Sequence, residues 1–237
     1  MNFNSMGMMY YDWTYILIML PCLILALICS ANVKSAFNKY AKIPNSRGMT
    51  GAQAAQALLT ANGVTGVTIE AVSGNLTDHF DPRTNTIRLS QSVYGSASVA
   101  AVGVACHEAG HACQHAERYF PNKLRSAILP VANIGSRLSW VLIIVGMLLP
   151  VGYDIFITIG IVLYSASVLF TVVTLPVEFN ASARALKTIQ TCNFLQQSEY
   201  AGAKRVLRAA AMTYVASAAA AIAQLLRLLL IANRRRS

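Results

Sequence analysis

The chain has 237 residues and a net charge of +10; 55% of its residues are hydrophobic, whereas only 12% are charged. Soluble domains carry about 25% charged residues, so this composition argues against a soluble globular protein, a disordered chain and a disulfide-rich scaffold. An integral membrane protein is predicted instead. The positive charge does not indicate a nucleic-acid partner, because its first cluster directly follows an apolar segment, as in a cytoplasmic loop that contacts anionic lipid: Lys34, Lys39, Lys42 and Arg47.

Four apolar segments are candidates for membrane spans. Residues 15–31 carry no charge and are about long enough to cross a bilayer. Residues 127–151, of which 138–151 are free of charge, precede residues 155–175 by a short loop, so the two predict a transmembrane hairpin. Residues 209–232 are Ala-rich and contain a glutamine and an arginine. They either form a fourth span or pack along the others without crossing, and a span is favoured.

The basic residues predict the orientation of the chain. With the N-terminus outside, the basic segments 32–125 and 176–208 both lie in the cytoplasm and the uncharged hairpin tip lies outside. A fourth span then leaves the arginines at 234–236 outside, against the positive-inside tendency.

The polar segment after the first span predicts a small α+β unit. Residues 50–62 are Ala-rich and are followed by Gly63, which predicts a short helix. Residues 67–69 and 86–89 are β-branched and flank a turn-rich stretch, so they predict a small antiparallel sheet. Residues 98–117 are helical in pattern.

The chain accordingly divides into five segments. They are an N-terminal segment with the first transmembrane helix, a small α+β unit, a transmembrane hairpin, a polar helix that continues from it, and a C-terminal apolar helix with a basic tail: residues 1–32, 33–126, 127–175, 176–208 and 209–237.

The histidines carry the strongest chemical signal. Three of the four lie four residues apart on the predicted helix, and the first two form an HExxH motif, His107-Glu108-Ala109-Gly110-His111. Residues i and i+4 share one face of a helix, so two imidazoles can bind one Zn²⁺, and Glu108 lies near a water in the open coordination position. The alternative is a helix with structural histidines. Gly110 would weaken an ordinary helix, so close approach of a second element near the zinc is expected there.

Zinc needs a third protein ligand, and Glu178 is the main candidate. It is the only acidic residue between Asp154 and Glu199, and it follows the span that ends at residue 175. His115 lies about 80° away from the face of His107, which favours a place in the pocket or behind the ligands. The alternative for Glu178 is a solvated side chain at the membrane interface.

Together these motifs resemble the YugP-like family of bacterial membrane zinc metallopeptidases. The resemblance covers nearly the whole chain and rests on four stretches, which are HEAGH at 107–111, LPVEFNAS at 175–182, NLTDHFDPR at 75–83 and TYVA at 213–216. The EFxA core is also similar to the HtpX and CaaX-protease group, in which that Glu is the third zinc ligand.

The resemblance implies a role for each site residue. It implies that His107, His111 and Glu178 bind one zinc ion per chain and that Glu108 is the general base. Relatives usually carry an Asp two or four residues after the Glu ligand to orient a histidine. Here those positions hold Asn180 and Ser182, which can form hydrogen bonds without adding charge.

His79 is a further candidate. It lies in a turn-rich loop between Asp78 and Asp81. It either donates to the oxyanion of the tetrahedral intermediate, with Asp78 as its orienting partner, or belongs to a cluster that only fixes a turn.

The sequence therefore predicts a multi-pass α-helical membrane protein with a small α+β zincin-like unit at the cytoplasmic membrane face. The predicted function is a gluzincin-like zinc metalloendopeptidase of the bacterial cytoplasmic membrane, with its active site on the cytoplasmic side. The strand at 86–89 is expected to lie at an edge of the sheet and to hold substrate by strand addition. Expected partners are the lipid bilayer and a peptide or membrane-protein substrate, and the sequence is compatible with an oligomer or a regulatory partner. The alternative is a non-catalytic membrane scaffold or chaperone-like partner with a structural zinc.

Overall fold

The structure is a computed structural model that describes residues 15–150 and 152–236; residues 1–14 of the predicted N-terminal segment lie outside the described residues. The described residues form helices and a small sheet. In chain order the elements are α1 (Leu20–Tyr40, preceded by a π-helical turn at Tyr15–Met19), α2 (Gly51–Ala61), β1 (Thr68–Val72), β2 (His79–Asp81), β3 (Thr86–Ser90), α3 (Gln91–Tyr94), α4 (Val99–Ala116), α5 (Phe120–Leu148), α6 (Ile155–Thr191) and α7 (Gln197–Arg236).

Four of the helices are long and apolar enough to cross a membrane, namely α1, α5, α6 and α7. Only 6–22% of the residues in their most apolar windows are buried in the isolated chain, as expected of surfaces that face lipid. The molecule is thus a multi-pass helical membrane protein with a small α+β unit, which confirms the predicted fold class.

The main packing contacts order the four long helices as α5, α6, α7 and α1. α6 packs between α5 and α7, and α1 packs on the far side of α7. Small residues allow α5 and α6 to approach closely. A Cβ atom on Gly135 would lie 2.7 Å from the Leu163 carbonyl oxygen, and one on Gly160 would lie 2.9 Å from the Ser139 carbonyl oxygen.

The end of α7 returns to the tip of the α5–α6 hairpin. Leu228 belongs to one buried cluster with Ile143 of α5 and Ile157 of α6. Farther along α7, the Arg235 guanidinium lies 2.8 Å from the Asp154 carboxylate at the start of α6. The apolar segment 209–232 therefore runs beside α6 along the same length of the bundle, which favours a fourth span.

The sheet of the α+β unit differs from the prediction. Its order is β1-β3-β2, with β1 and β3 parallel and β2 antiparallel to β3. The prediction of an antiparallel sheet was therefore wrong for the β1–β3 pair, because period-2 alternation marks a strand but not its direction. The prediction that residues 86–89 form an edge strand was also wrong, since β3 is central and β2 is one of the edges.

The HExxH helix lies at the centre of the core. α4 begins after Ser98, whose hydroxyl caps the Ala101 N–H, and it packs against α2, α6 and α7. Its closest approach is to α6, because a Cβ atom on Gly110 would lie 2.7 Å from the Ala181 carbonyl oxygen. The expected close approach at Gly110 is thus confirmed. It brings the α4 histidine face against the part of α6 that follows the predicted span.

Candidate metal centre

Two histidines of α4 and one glutamate of α6 converge on a single point. His107 Nε2 and His111 Nε2 are 3.2 Å apart. Glu178 Oε2 lies 3.3 Å from the first nitrogen and 3.5 Å from the second. Helix spacing places the two histidines on successive turns, and the contact at Gly110 brings in the glutamate 67 residues later.

The cluster of His107, His111 and Glu178 has the geometry of a zinc site. Zinc bonds to nitrogen and oxygen are about 2.0–2.1 Å long, so two ligands of a tetrahedral ion lie about 3.3–3.4 Å apart. All three measured separations are within about 0.2 Å of that value. Glu178 Oε2 is buried and has no hydrogen-bond partner among the described residues. A buried carboxylate oxygen of this kind is stabilised by a cation, so the residues present fit zinc.

A buried glutamine sets the orientation of His111. Gln114 is fully buried, and its Nε2 donates to the Val177 carbonyl oxygen (2.8 Å) and to Asn180 Oδ1 (2.9 Å). Its Oε1 therefore faces His111 Nδ1 at 3.0 Å and accepts the proton of that nitrogen. The lone pair of His111 then lies on Nε2, which points into the cluster, as metal binding requires.

The chain of hydrogen bonds continues to the protein surface. Asn180 Oδ1 also accepts a 2.8 Å hydrogen bond from Arg184 Nε, and the two terminal nitrogens of Arg184 donate to Glu117 at 2.6 and 2.7 Å. The hydrogen bonds from Arg184 hold the pKa of Glu117 below its usual range. Asn180 thus lies behind His111, with Gln114 between them.

Ser182 takes the corresponding place behind the other histidine. Its hydroxyl oxygen lies 3.0 Å from His107 Nδ1. With Nε2 of His107 turned toward the cluster, the Nδ1 hydrogen can be donated to this hydroxyl. Ser182 thus contacts His107 directly, and Asn180 reaches His111 through Gln114. These are the two positions after Glu178 at which relatives usually carry Asp.

The cluster opens into a cavity of about 290 Å³. Glu108 is buried at its wall, and within residues 15–150 and 152–236 no hydrogen bond engages its carboxylate. The Arg125 guanidinium also lines the cavity and lies 3.5 Å from Glu178 Oε1. Further lining comes from β2 and its flanks, α5, α6 and α7: Asp78, His79, Phe80, Pro82, Asn122, Ser126, Leu129, Phe170 and Tyr214.

The remaining predicted site residues lie outside the metal cluster, although two of them, Asp78 and His79, line the cavity. His79 lies in β2 rather than in a loop, and its Nδ1 is 2.8 Å from the Thr77 carbonyl oxygen. Asp78 does not orient it, because the Asp78 carboxylate accepts from the backbone N–H and hydroxyl of Ser90. His115 is exposed and lies outside the metal cluster, with its ring centroid 5.7 Å from that of Phe80 and the two rings tilted by 54°.

Cys106 and Cys113 lie on either side of the HExxH motif. They do not belong to the metal cluster of the described residues. Burial raises the pKa of the Cys113 thiol to about 11 and raises that of Cys106 further. Both thiols therefore stay protonated at neutral pH and act as small buried side chains. All five cysteines are free, as the absence of a CxxC pair predicted.

The comparisons with known proteins agree with this centre. The family described as "Putative neutral zinc metallopeptidase" matches residues 15–233. The chain belongs to this family. It is also 45% identical over 217 residues to the "Putative membrane protease YugP" of Bacillus subtilis (strain 168), covering 92% of this chain and 96% of that protein. No solved structure matches significantly.

Two residues around this candidate metal centre were missed by the sequence analysis, and a third, Tyr214, was quoted there only as part of the TYVA stretch. Gln114 lies one turn after His111, but its role depends on the position of α6, which helix periodicity does not reveal. Arg125 and Tyr214 reach the cavity from α5 and α7. A charged residue at the start of a span and a tyrosine within an Ala-rich helix were the available signals.

Proposed function

We propose that this zinc metallopeptidase is a gluzincin-like endopeptidase in which His107, His111 and Glu178 hold one zinc ion per chain and Glu108 is the general base. The observation that carries the proposal is the triangle of ligand atoms with 3.2–3.5 Å sides. The cluster has three ligands among the described residues, and this supports an open catalytic site, since structural zinc sites have four protein ligands.

The protein groups around the cluster have distinct tasks in this proposal. Zinc bound there supplies a Lewis acid and lowers the pKa of a bound water to about 7. The Glu108 carboxylate, which is buried and not engaged by a hydrogen bond among the described residues, accepts a proton from the nucleophile and returns it to the leaving amine.

Substrate backbone is held by the free edge of β2. β2 borders the cavity and pairs with β3 on one side, so its other edge can accept an extended peptide. We therefore propose strand addition at residues 79–81 rather than at 86–89.

Two groups are candidates for stabilising the oxyanion. His79 Nδ1 faces a carbonyl oxygen and donates to it, so Nε2 of His79 can donate to an oxyanion only when the ring is protonated. Arg125 carries a permanent charge in the same cavity and needs no protonation.

The central experiment measures zinc per chain and peptide hydrolysis on purified full-length variants. Glu108→Gln should keep full zinc and lose hydrolysis, because a carboxamide cannot accept the proton. Glu178→Ala should lose both zinc and activity while remaining helical, because two histidines alone bind zinc weakly. Phe179→Ala is the matched control, since Phe179 is the exposed neighbour of Glu178 on α6.

Different outcomes separate the competing assignments. Hydrolysis by Glu108→Gln near the wild-type rate would refute the general base. Full zinc and activity in Glu178→Ala would refute the third ligand and leave it an interfacial side chain. Zinc-loaded wild type without any hydrolysis would favour the non-catalytic scaffold.

We further propose that the active site faces the cytoplasm. The basic residues at 34–47 and in the segment 176–208 support this orientation. Exposed Cys192 should then resist an impermeant thiol reagent in intact cells and react after permeabilisation. Tyr153→Cys, exposed at the hairpin tip, should react in intact cells; the opposite labelling pattern would reverse the topology.

A further inference from the structure

The cavity beside the metal cluster extends from the bilayer boundary into the hydrocarbon core. Glu178 lies about 34 Å along α6 from the start of that helix at Ile155, slightly more than the ~30 Å thickness of a hydrocarbon core. Phe170, which lines the same cavity, is about 12 Å nearer to the hairpin tip along α6. The metal cluster thus lies at the bilayer boundary, and the end of the cavity at Phe170 lies within hydrocarbon depth.

The cavity is bounded on two sides by α5 and α7, which meet only at the hairpin end among the described residues. α5 and α7 each pack on α6, and they make no extended contact with one another in the described residues. At the hairpin end, the buried cluster of Leu228 and Ile143 and a 3.0 Å hydrogen bond from Arg235 to the Met147 carbonyl oxygen of α5 join them. At the zinc end, Leu129 of α5 and Tyr214 of α7 are both exposed and both line the cavity. A gap therefore opens between α5 and α7 toward the site.

The two ends of the cavity differ in chemistry. The aqueous end has Glu108, His79 and the free edge of β2, which can bind an extended backbone. The membrane end has the apolar side chains of Leu129 and Phe170, and the Arg125 guanidinium lies over the Phe170 ring at 5.9 Å, on the way to Glu178. An occupant that satisfies both ends is apolar within the bilayer and presents unpaired peptide groups immediately outside it. Lipid satisfies the first condition but cannot pair with a strand edge.

We infer that the substrate is a membrane-embedded polypeptide, cut just after it leaves the bilayer, with its apolar end in the gap between α5 and α7 and the following residues paired with β2. This rests on the proposed peptidase function. The span from Phe170 to Glu178 is about 12 Å, and an extended chain rises about 3.3 Å per residue. The cut is therefore expected within about five residues of the end of the apolar segment.

The test uses the full-length protein in liposomes and a substrate with a 20-residue Leu/Ala transmembrane segment followed by a 40-residue randomised polar stretch. Mass spectrometry of the new termini maps each cut relative to the apolar segment. The expected result is a cluster of cuts within about five residues of the bilayer, and little cleavage of the same stretch without its transmembrane segment. Cuts spread evenly along the stretch, or equal cleavage of the unanchored peptide, would overturn the substrate class.

A pair of variants tests the gap itself. Leu129→Trp should reduce cleavage of the anchored substrate by about tenfold, because the larger ring fills the gap. Val131→Trp is the matched control on the same helix, since Val131 is exposed but does not line the cavity, and its rate should stay within twofold of wild type. Both variants should have wild-type zinc content and thermal midpoints.

The possible failures can be told apart. Unchanged cleavage in Leu129→Trp would show that the gap holds lipid and would overturn the inference while the peptidase function stands. Absence of cleavage of either substrate by zinc-loaded wild type would refute the peptidase function, and the inference with it.

Discussion

The buried glutamine behind His111 offers a sharp test of how the metal site is organised. Replacement of Gln114 by Leu, a side chain of similar size, removes the acceptor for His111 Nδ1–H and both hydrogen bonds to α6. The histidine can then rotate or adopt the other tautomer, which places a proton on the nitrogen that faces the cluster. Zinc binding is expected to weaken, although Gln114 is not a ligand.

The size of the effect follows from the contacts. A buried donor left without a partner costs about 1–3 kcal/mol, and loss of a hydrogen-bond partner behind a ligand typically lowers metal affinity by about 10–100-fold. We expect the zinc Kd of Gln114→Leu to rise about 30-fold. Gln114→Glu should recover part of this loss, because one oxygen still accepts from His111. Recovery should be incomplete, because the second oxygen meets the Val177 carbonyl oxygen at the 2.8 Å position of the present amide.

The assay is competition for zinc with a chromophoric chelator, using purified protein in detergent. Thermal unfolding of the metal-free variants shows whether the helices remain packed. Gln190→Leu is the control for the substitution itself, since Gln190 is exposed on α6. A Kd for Gln114→Leu within twofold of wild type would refute the orienting role.

Two further substitutions probe the supports around the centre. Gly110→Ala should lower stability by about 1–3 kcal/mol and lower zinc content, because its Cβ atom would meet the Ala181 carbonyl oxygen at 2.7 Å. Gly95→Ala is the control and should be tolerated, because the space around Gly95 is open. Equal thermal midpoints for the two variants would contradict the close contact. Glu117→Gln should cost no more than about 0.5 kcal/mol at pH 7, because the pair with Arg184 is half exposed. Since the folded pKa of Glu117 is lowered, this contribution is present above the unfolded pKa of about 4.3 and is lost as the pH falls below it. Thermal midpoints of the variant and the wild type should therefore approach one another as the pH is lowered below about 4.3, and a difference that grows on acidification would refute the pairing.

The three residues of the cluster could be predicted from sequence because they rest on local periodicity and scarcity. Four-residue spacing places His107 and His111 on one face of a helix, and Glu178 is the only acidic residue over a long apolar stretch. Gly110 was informative because a glycine inside a helix is destabilising and therefore suggests a special role. Its close contact with α6 is that role.

The elements that were missed depend on contacts between distant segments. β2 is only three residues long and lies in a polar stretch, so it gives no alternating pattern, and His79 was therefore assigned to a loop. The parallel pairing of β1 and β3 follows from how the chain crosses between them, which composition does not encode. Asp78 lies next to His79 in sequence, but its hydrogen bonds go to Ser90 across the sheet.

The ligands of the centre are divided between α4, in the aqueous unit, and α6, which continues out of the membrane. During synthesis α4 leaves the ribosome before α6, so the nascent chain first exposes two histidines without their acidic partner. In the proposed enzyme the ligand set becomes complete only when the α5–α6 hairpin has inserted and carried Glu178 to the bilayer surface. We therefore expect catalytic competence to be acquired together with insertion, and an uninserted chain to lack peptidase activity.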